Sequence, residues 1–394
     1  MKQKIVLSLL VATASFMTGC SSDKQPESVE NLPCIIDVKK DYPEKEIVLT
    51  DIADVTYVHL SSKNDNFLYK GGINYVSENT IIVCDISSGS VLFFKKDGTP
   101  ISRFNHYGEG PQEYQTLGMT FNRAIDQLFY DEKTNEVFIY MPFSDFIKVY
   151  TSTGEYLRTI NVPQGSPWRR YSIYDNQSLI VNDEKAFYLI SRTDGKILEY
   201  IKMPDGDKVD LDVKYVRGKV NMTMKMMGGT RMVKCADGYY LCNPESDTVF
   251  LYKKDKSLTP AILKTPMIGN LDPKTVLNKC WDAGRYQFIE IHTRHKSYYL
   301  SPESPEYPDR HYVQNKKTGE VFRQKIIIPD YMGKEIFIFN ISIHEKGTST
   351  HFELDLAELK EAFKKNMLGG KLKELVATLD EFQDNNVYMF VDFK

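Results

Sequence analysis

The chain has 394 residues, 26% of them charged and 12% aromatic, with a formal net charge of −3. A balance so close to neutral, with no clustered run of Lys or Arg, excludes nucleic acid as an electrostatic partner and excludes adhesion to anionic lipid through a basic surface. With 25 Tyr and 21 Phe, the composition suits pleated strands, whose faces accept bulky side chains, and the chain reads as mainly β.

The first element is a basic start, Met1-Lys2-Gln3-Lys4, followed by an apolar run from Ile5 to Met17 and then Met17-Thr18-Gly19-Cys20. Small residues before a cysteine mark a lipoprotein signal. Residues 1–19 are expected to be cleaved and Cys20 to be acylated as the new N-terminus. The apolar run is shorter than the about 20 residues that span a bilayer, and no later segment reaches that length. Residues 20–46, with Ser, Asp, Glu, Lys and Pro and little apolar pattern, read as a tether, and residues 47–394 as the body. Loss of Lys2 and Lys4 leaves 48 Lys and Arg against 53 Asp and Glu, a net charge of −5.

One pattern then recurs: an apolar strand, a polar turn usually ending in Gly, and a second apolar strand. It appears around Lys96-Asp97-Gly98, Ser152-Thr153-Gly154, Thr193-Asp194-Gly195, Lys254-Asp255-Lys256 and Lys317-Thr318-Gly319. Room remains upstream of each hairpin for two more strands, with Ile73 to Val76, Thr80 to Cys84, Gln127 to Tyr130 and Val137 to Tyr140 among the candidates. Four-stranded units repeated radially make a β-propeller, which leaves only short, protected edges. A sixth hairpin is expected near Asp384-Asn385-Asn386. The chain ends after Val387 to Phe393, one strand short, and Val55 to Leu60 has no other partner. The fold class is therefore all-β: a six-bladed β-propeller closed by its N- and C-terminal strands.

Between residues 353 and 380 the apolar period changes from two to about 3.6. Leu356, Leu359 and Phe363 share one helical face, Asp355 and Glu358 are spaced like a capping box, and Leu372, Leu375, Val376 and Leu379 make a second stripe. A small helical insertion in the last blade follows, its stripes expected to be core. Cys34, Cys84, Cys235, Cys242 and Cys280 are odd in number and scattered, which argues against a disulfide framework. A turn centred on Asp237-Gly238 would set Cys235 opposite Tyr240 and leave Cys242 out of register.

Three stretches, Tyr107 to Tyr114, Ser246 to Phe250 and Asp384 to Val387, give the chain a resemblance to the six-bladed β-propeller lipoproteins of Gram-negative envelopes, which are distantly similar to NHL-repeat propellers. The resemblance covers about residues 47–394 and implies the propeller fold. It carries over no catalytic residue set.

The candidate ligand-binding residues are Gly108, Glu109, Gly110, Glu113 and Tyr114, on a loop that follows an outer strand and so crosses the channel face. The two glycines allow close backbone approach; two carboxylates and a phenol supply polar groups. The competing role for this loop is a clasp between blades, with Glu113 accepting backbone N–H groups. Trp168, Arg169 and Arg170, together with Trp281, could form a stacking platform for a sugar ring or could serve as packing. His292 and His295 lack a carboxylate or cysteine at ligand spacing, so no metal site is expected. Asp205, Asp207, Asp210 and Asp212 lack the order of a calcium loop and read as a solvated turn. No hydrolase elbow or zinc-protease pattern is present. No catalytic residue and no cofactor is assigned. The expected role is a membrane-anchored propeller that binds a ligand, carbohydrate among the candidates, or an envelope protein. Its partners would be the outer membrane, through lipid, and that ligand, but not nucleic acid. A glycan-active lyase or hydrolase and an architectural subunit of an outer-membrane complex are the alternatives.

Overall fold

The computed structural model describes residues 33–62, 66–115, 127–141, 144–165, 169–183, 186–204, 211–217, 219–225, 230–295, 309–338 and 344–394. The signal peptide, Cys20, Trp168 and the Asp205 to Asp210 cluster lie outside them.

Five blades are antiparallel meanders. Blade one is Ile73–Val76, Thr80–Cys84, Val91–Lys95 and Pro100–Phe104; blade two is Gln127–Asp131, Glu136–Met141, Phe146–Tyr150 and Tyr156–Asn161. Blade three is Arg170–Ile173, Ser178–Asn182, Phe187–Ser191 and Ile197–Tyr200, and blade four is Arg231–Cys235, Gly238–Cys242, Thr248–Lys253 and Leu258–Thr265. Blade five is Lys274–Ala283, Tyr286–Arg294, Arg310–Asn315 and Val321–Ile327. Blades stack face to face, so a middle strand is covered on both sides. That is why Thr80–Cys84 and Ser178–Asn182 are buried at every position and read as continuous apolar runs rather than alternations. Outer strands keep a wet side, and all four residues of Ile197–Tyr200 are exposed.

Blade six is assembled from both ends of the chain. Ser349–Leu354 pairs with Val387–Phe393, which pairs in turn with Ala53–His59, from Val387 opposite His59 to Phe393 opposite Ala53. His344 reaches the inner strand of blade one through a parallel bridge to Val76. The terminal closure expected from the sequence is thus present.

The hairpin turns hold the ring together as well as reversing the chain. Gly98, Gly154, Gly195 and Gly319 all have φ between +72° and +90°, and Lys256 takes the same conformation at φ +65°. A Cβ on Gly98 would lie 2.0 Å from the carbonyl oxygen of His59, and one on Gly195 would lie 1.9 Å from that of Asn161. The Gly98, Gly154 and Gly195 turns therefore press on the outer strand of the preceding blade, where only glycine fits, whereas Gly319 has open space around it.

Two expectations need correction. The tether does not extend to residue 46. Cys34–Asp37 pairs in parallel with the outer strand of blade four, and Glu44–Val48 does the same on blade five. Cys34, Ile36, Val38 and Tyr42 are buried against blades four and five. An open outer strand offers unpaired N–H and C=O groups, and a short alternating segment suffices to cover them. The turn before Cys242 is centred on Ala236-Asp237, so Cys235 faces Gly238 and Cys242 faces Arg231. The five described cysteines are free and buried.

The insertion forms two helices, Leu356–Lys364 and Gly370–Ala377, with the Asp355 carboxylate accepting the Glu358 N–H at 2.9 Å. Their apolar stripes pack into the core shared by blades five and six, as the periodicity implied.

Candidate functional site

Antiparallel order places the connections between blades on one face, together with the loops between second and third strands. The loop after blade one lies there and folds onto its own backbone. The Glu113 carboxylate accepts the Gly110 N–H at 2.7 Å, and a Cβ on Gly108 would sit 2.0 Å from that carboxylate. Tyr114 is fully buried and donates its hydroxyl to Gly89 O at 2.6 Å. Lys148 and Tyr150 of blade two donate to Pro111 O and Gln112 O, and the Tyr114 ring packs edge-on against Tyr150. Gly108, Gly110, Glu113 and Tyr114 thus form the blade-to-blade clasp, and Glu109 alone of the five points into solvent.

Arg169 is also spent on structure. It is fully buried, with its guanidinium on Asp145 and Pro163 O, while Arg170 is exposed at the start of blade three. Trp281 is buried, donates to Gly347 O at 2.8 Å and packs against Phe288 and Phe393. It is core, not a stacking platform.

A different set of residues forms a built polar site, on the face of blade five that packs against blade six. The lower layer is apolar and in register across the blade: Trp281 opposite Phe288, Phe288 opposite Val313, Val313 opposite Phe322. The next layer towards the loop face is polar. Lys279 stands opposite Glu290 and Glu290 opposite His311, while Gln324 follows Phe322 on the same face of the outer strand. A bulge between Leu277 and Lys279 inserts Asn278, turning its amide onto Glu290 Oε2 at 2.5 Å. Bulges re-aim side chains in this way. One step further on, His292 lies 3.3 Å from Asp309, which also takes Arg294 at 3.1 Å.

Glu290 is the hub of this layer and is only 8% exposed. His292 Nε2 stands 3.6 Å from one of its oxygens, His311 Nε2 3.5 Å from the other, and Lys279 Nζ at 4.0 Å. Burial alone would raise its pKa, but the contacts from His292, His311 and Asn278, with the charge of Lys279, outweigh burial and hold the carboxyl well below the usual range. Gln324 is 6% exposed, and its amide nitrogen has no hydrogen-bond partner among the described residues. Phe337 is 57% exposed, with its ring 5.5 Å from that of His311. Among the described residues no group of three or more His, Cys, Asp or Glu side chains could hold a metal ion.

Residues 23–300 match the DUF5128 family, described as a 6-bladed beta-propeller. The chain belongs to this family. Among solved structures, it is similar to a Bacteroides fragilis protein named as exported, with a TM-score of 0.61 and 15% identity over 91% of this chain and 99% of that one. A member of the DUF4221 family from Bacteroides vulgatus gives 0.45 at 12% identity, over 87% and 97%. Virginiamycin B lyase from Staphylococcus aureus gives 0.31 at 10%, over 68% and 97%. At 15% identity the likeness to the Bacteroides fragilis protein is one of fold. No curated protein matches the chain.

For this DUF5128 propeller, one sign of the polar layer was present in the sequence. Glu290, His292 and Arg294 alternate with Ile289 and Ile291 along one strand, so a carboxylate and an imidazole had to share a face. Nothing in that strand revealed that Lys279, His311 and Gln324 would join them, because which residues stand opposite is fixed by pairing across the blade.

Proposed function

We propose that this propeller is an exported lipoprotein of the cell envelope, anchored to the outer membrane through Cys20, that binds a ligand or envelope partner without transforming it. The observation that carries the binding reading is the polar layer of blade five. Four adjacent strands contribute polar groups at one level, next to an exposed aromatic ring. Convergent polar groups beside an apolar surface are what a small-molecule site requires. A carboxylate held ionised well below its usual range is a weak base and holds no proton to donate near pH 7, so Glu290 is not suited to be a general acid or base. The anchoring reading is supported by the Gly19-Cys20 junction and by the export named for the Bacteroides fragilis propeller.

The test is a thermal melt of the full-length, detergent-solubilised protein with and without the dialysable fraction of an envelope extract. The expected result is a raised melting temperature for wild type and a smaller rise for Glu290→Gln. If no fraction shifts the wild type, the small-ligand reading falls.

A further inference from the structure

We propose that the cleft at the loop-face end of blade five binds a small organic anion, with Lys274 as its counter-charge. This rests on the ligand-binding reading above, because Arg294 joins the cleft to the polar layer through Asp309, at 3.1 Å, which lies 3.3 Å from His292. Three observations select the class.

The first is an open space. The connection from blade four turns through Ile268–Asn270 and leaves a cleft of about 470 Å³ against the first two strands of blade five, with Asn270, Leu271, Asp272, Lys274, Arg294 and His295 in its walls. Small-molecule sites run from about 300 to about 1,000 Å³, more than an inorganic ion fills. The His295 side chain is 42% exposed and that of Arg294 16%, so solvent reaches the walls.

The second is charge. Lys274 stands directly opposite Arg294 across the two strands, and like charges so placed repel. Arg294 has Asp309 to offset it. Lys274 reaches only the carbonyl oxygens of Ile268 and Gly269, at 3.2 and 3.3 Å, and has no carboxylate partner among the described residues. Asp272, the carboxylate in the wall, lies 3.6 Å from His295 and is 82% exposed, where water and salt screen it. An anion in the cleft relieves the repulsion between the two cations. The third is the rest of the wall. Leu271 adds an apolar side chain and the exposed Asn270 an amide that donates or accepts, contacts that serve the body of an organic ligand and not a bare ion.

The experiment is calorimetric titration of the full-length protein in detergent with glucuronate, which carries a carboxylate, and glucose 6-phosphate, which carries a phosphate ester; glucose is the neutral control and inorganic phosphate the small-ion control. The variants are Lys274→Met, which keeps the stem without the charge, and Lys274→Arg, which keeps the charge; melting curves establish that both fold. At least one of the two organic anions should bind wild type, Lys274→Met should bind it about tenfold more weakly, and Lys274→Arg should restore most of the loss. Glucuronate alone assigns a carboxylate ligand, glucose 6-phosphate alone a phosphorylated one. Glucose binding as tightly as the anions, inorganic phosphate binding alone, or anion binding untouched by Lys274→Met overturns the proposal. If the envelope extract shifts the melting temperature through Glu290 while neither organic anion binds, the anion class fails and the binding reading stands. If neither acts, both fail.

Discussion

His344 and His351 share one hydrogen bond, Nε2 to Nδ1 at 2.9 Å, buried in the seam where blade six meets blade one. One imidazole donates and the other accepts, so the accepting ring is neutral. Phe390 and Tyr388 pack around the rings. Burial pushes both pKa values down, that of His351 to about 3, and the charge of Lys96 adds to the effect on each.

The folded pKa lies below the unfolded value of about 6.5, so the unfolded chain takes up protons first as pH falls. Stability is full above about pH 6.5 and declines towards about pH 3, by about 1.4 kcal/mol per pH unit for each histidine. Denaturant unfolding of wild type and His351→Gln between about pH 7 and about pH 4 measures this. The variant should show the shallower decline; parallel curves would refute the assignment.

The seam itself gives a second prediction. Val387–Phe393 pairs with Ala53–His59 along its whole length, so removing residues 384–394 opens the ring and bares two strand edges. The truncated chain should lose its cooperative thermal transition. A melt at the wild-type temperature would show that the termini do not close the ring.

Turn glycines should fall into two groups. Gly319 has open space around a Cβ, so Gly319→Ala meets only the positive-φ strain and should cost about 1 kcal/mol. Gly98→Ala and Gly195→Ala also drive a methyl into a backbone carbonyl of the neighbouring blade and should cost about 4 kcal/mol or more. Equal losses in chemical denaturation would show that the turns do not press on their neighbours.

The clasp predicts stability effects without binding effects. Tyr114→Phe leaves Gly89 O without its donor and Glu113→Gln weakens the hold on the Gly110 N–H; each should cost about 1–3 kcal/mol. Ligand binding at blade five by the folded fraction should be unchanged. Loss of binding with full stability would return this loop to the functional site.

Anchoring is tested separately from binding. Cells fed labelled palmitate should incorporate label into wild type and not into Cys20→Ala, since durable membrane attachment takes more than one acyl chain on that residue. Equal incorporation would remove the lipoprotein reading while leaving the blade-five site intact.

Features set by near neighbours in the chain were readable from the sequence alone. The hairpin periodicity, the glycine turns, the capped helix at Asp355 and the shortage of one strand at the C-terminus all follow from local backbone preference and apolar spacing, and together they dictate a ring closed by its ends. Features set by contacts between distant segments were not. Cys34–Asp37 looked like part of a tether because its partner, the outer strand of blade four, lies far along the chain and its pairing depends on an edge left open by the fold. The sequence left the loop from Gly108 to Tyr114 open between a ligand site and a clasp until blade two supplied Lys148 and Tyr150. The polar layer needed four strands to pair before Lys279, Glu290, His311 and Gln324 stood level, and a bulge at Asn278 added its amide to them. Register and burial are properties of the assembled ring, and only the tertiary structure decides them.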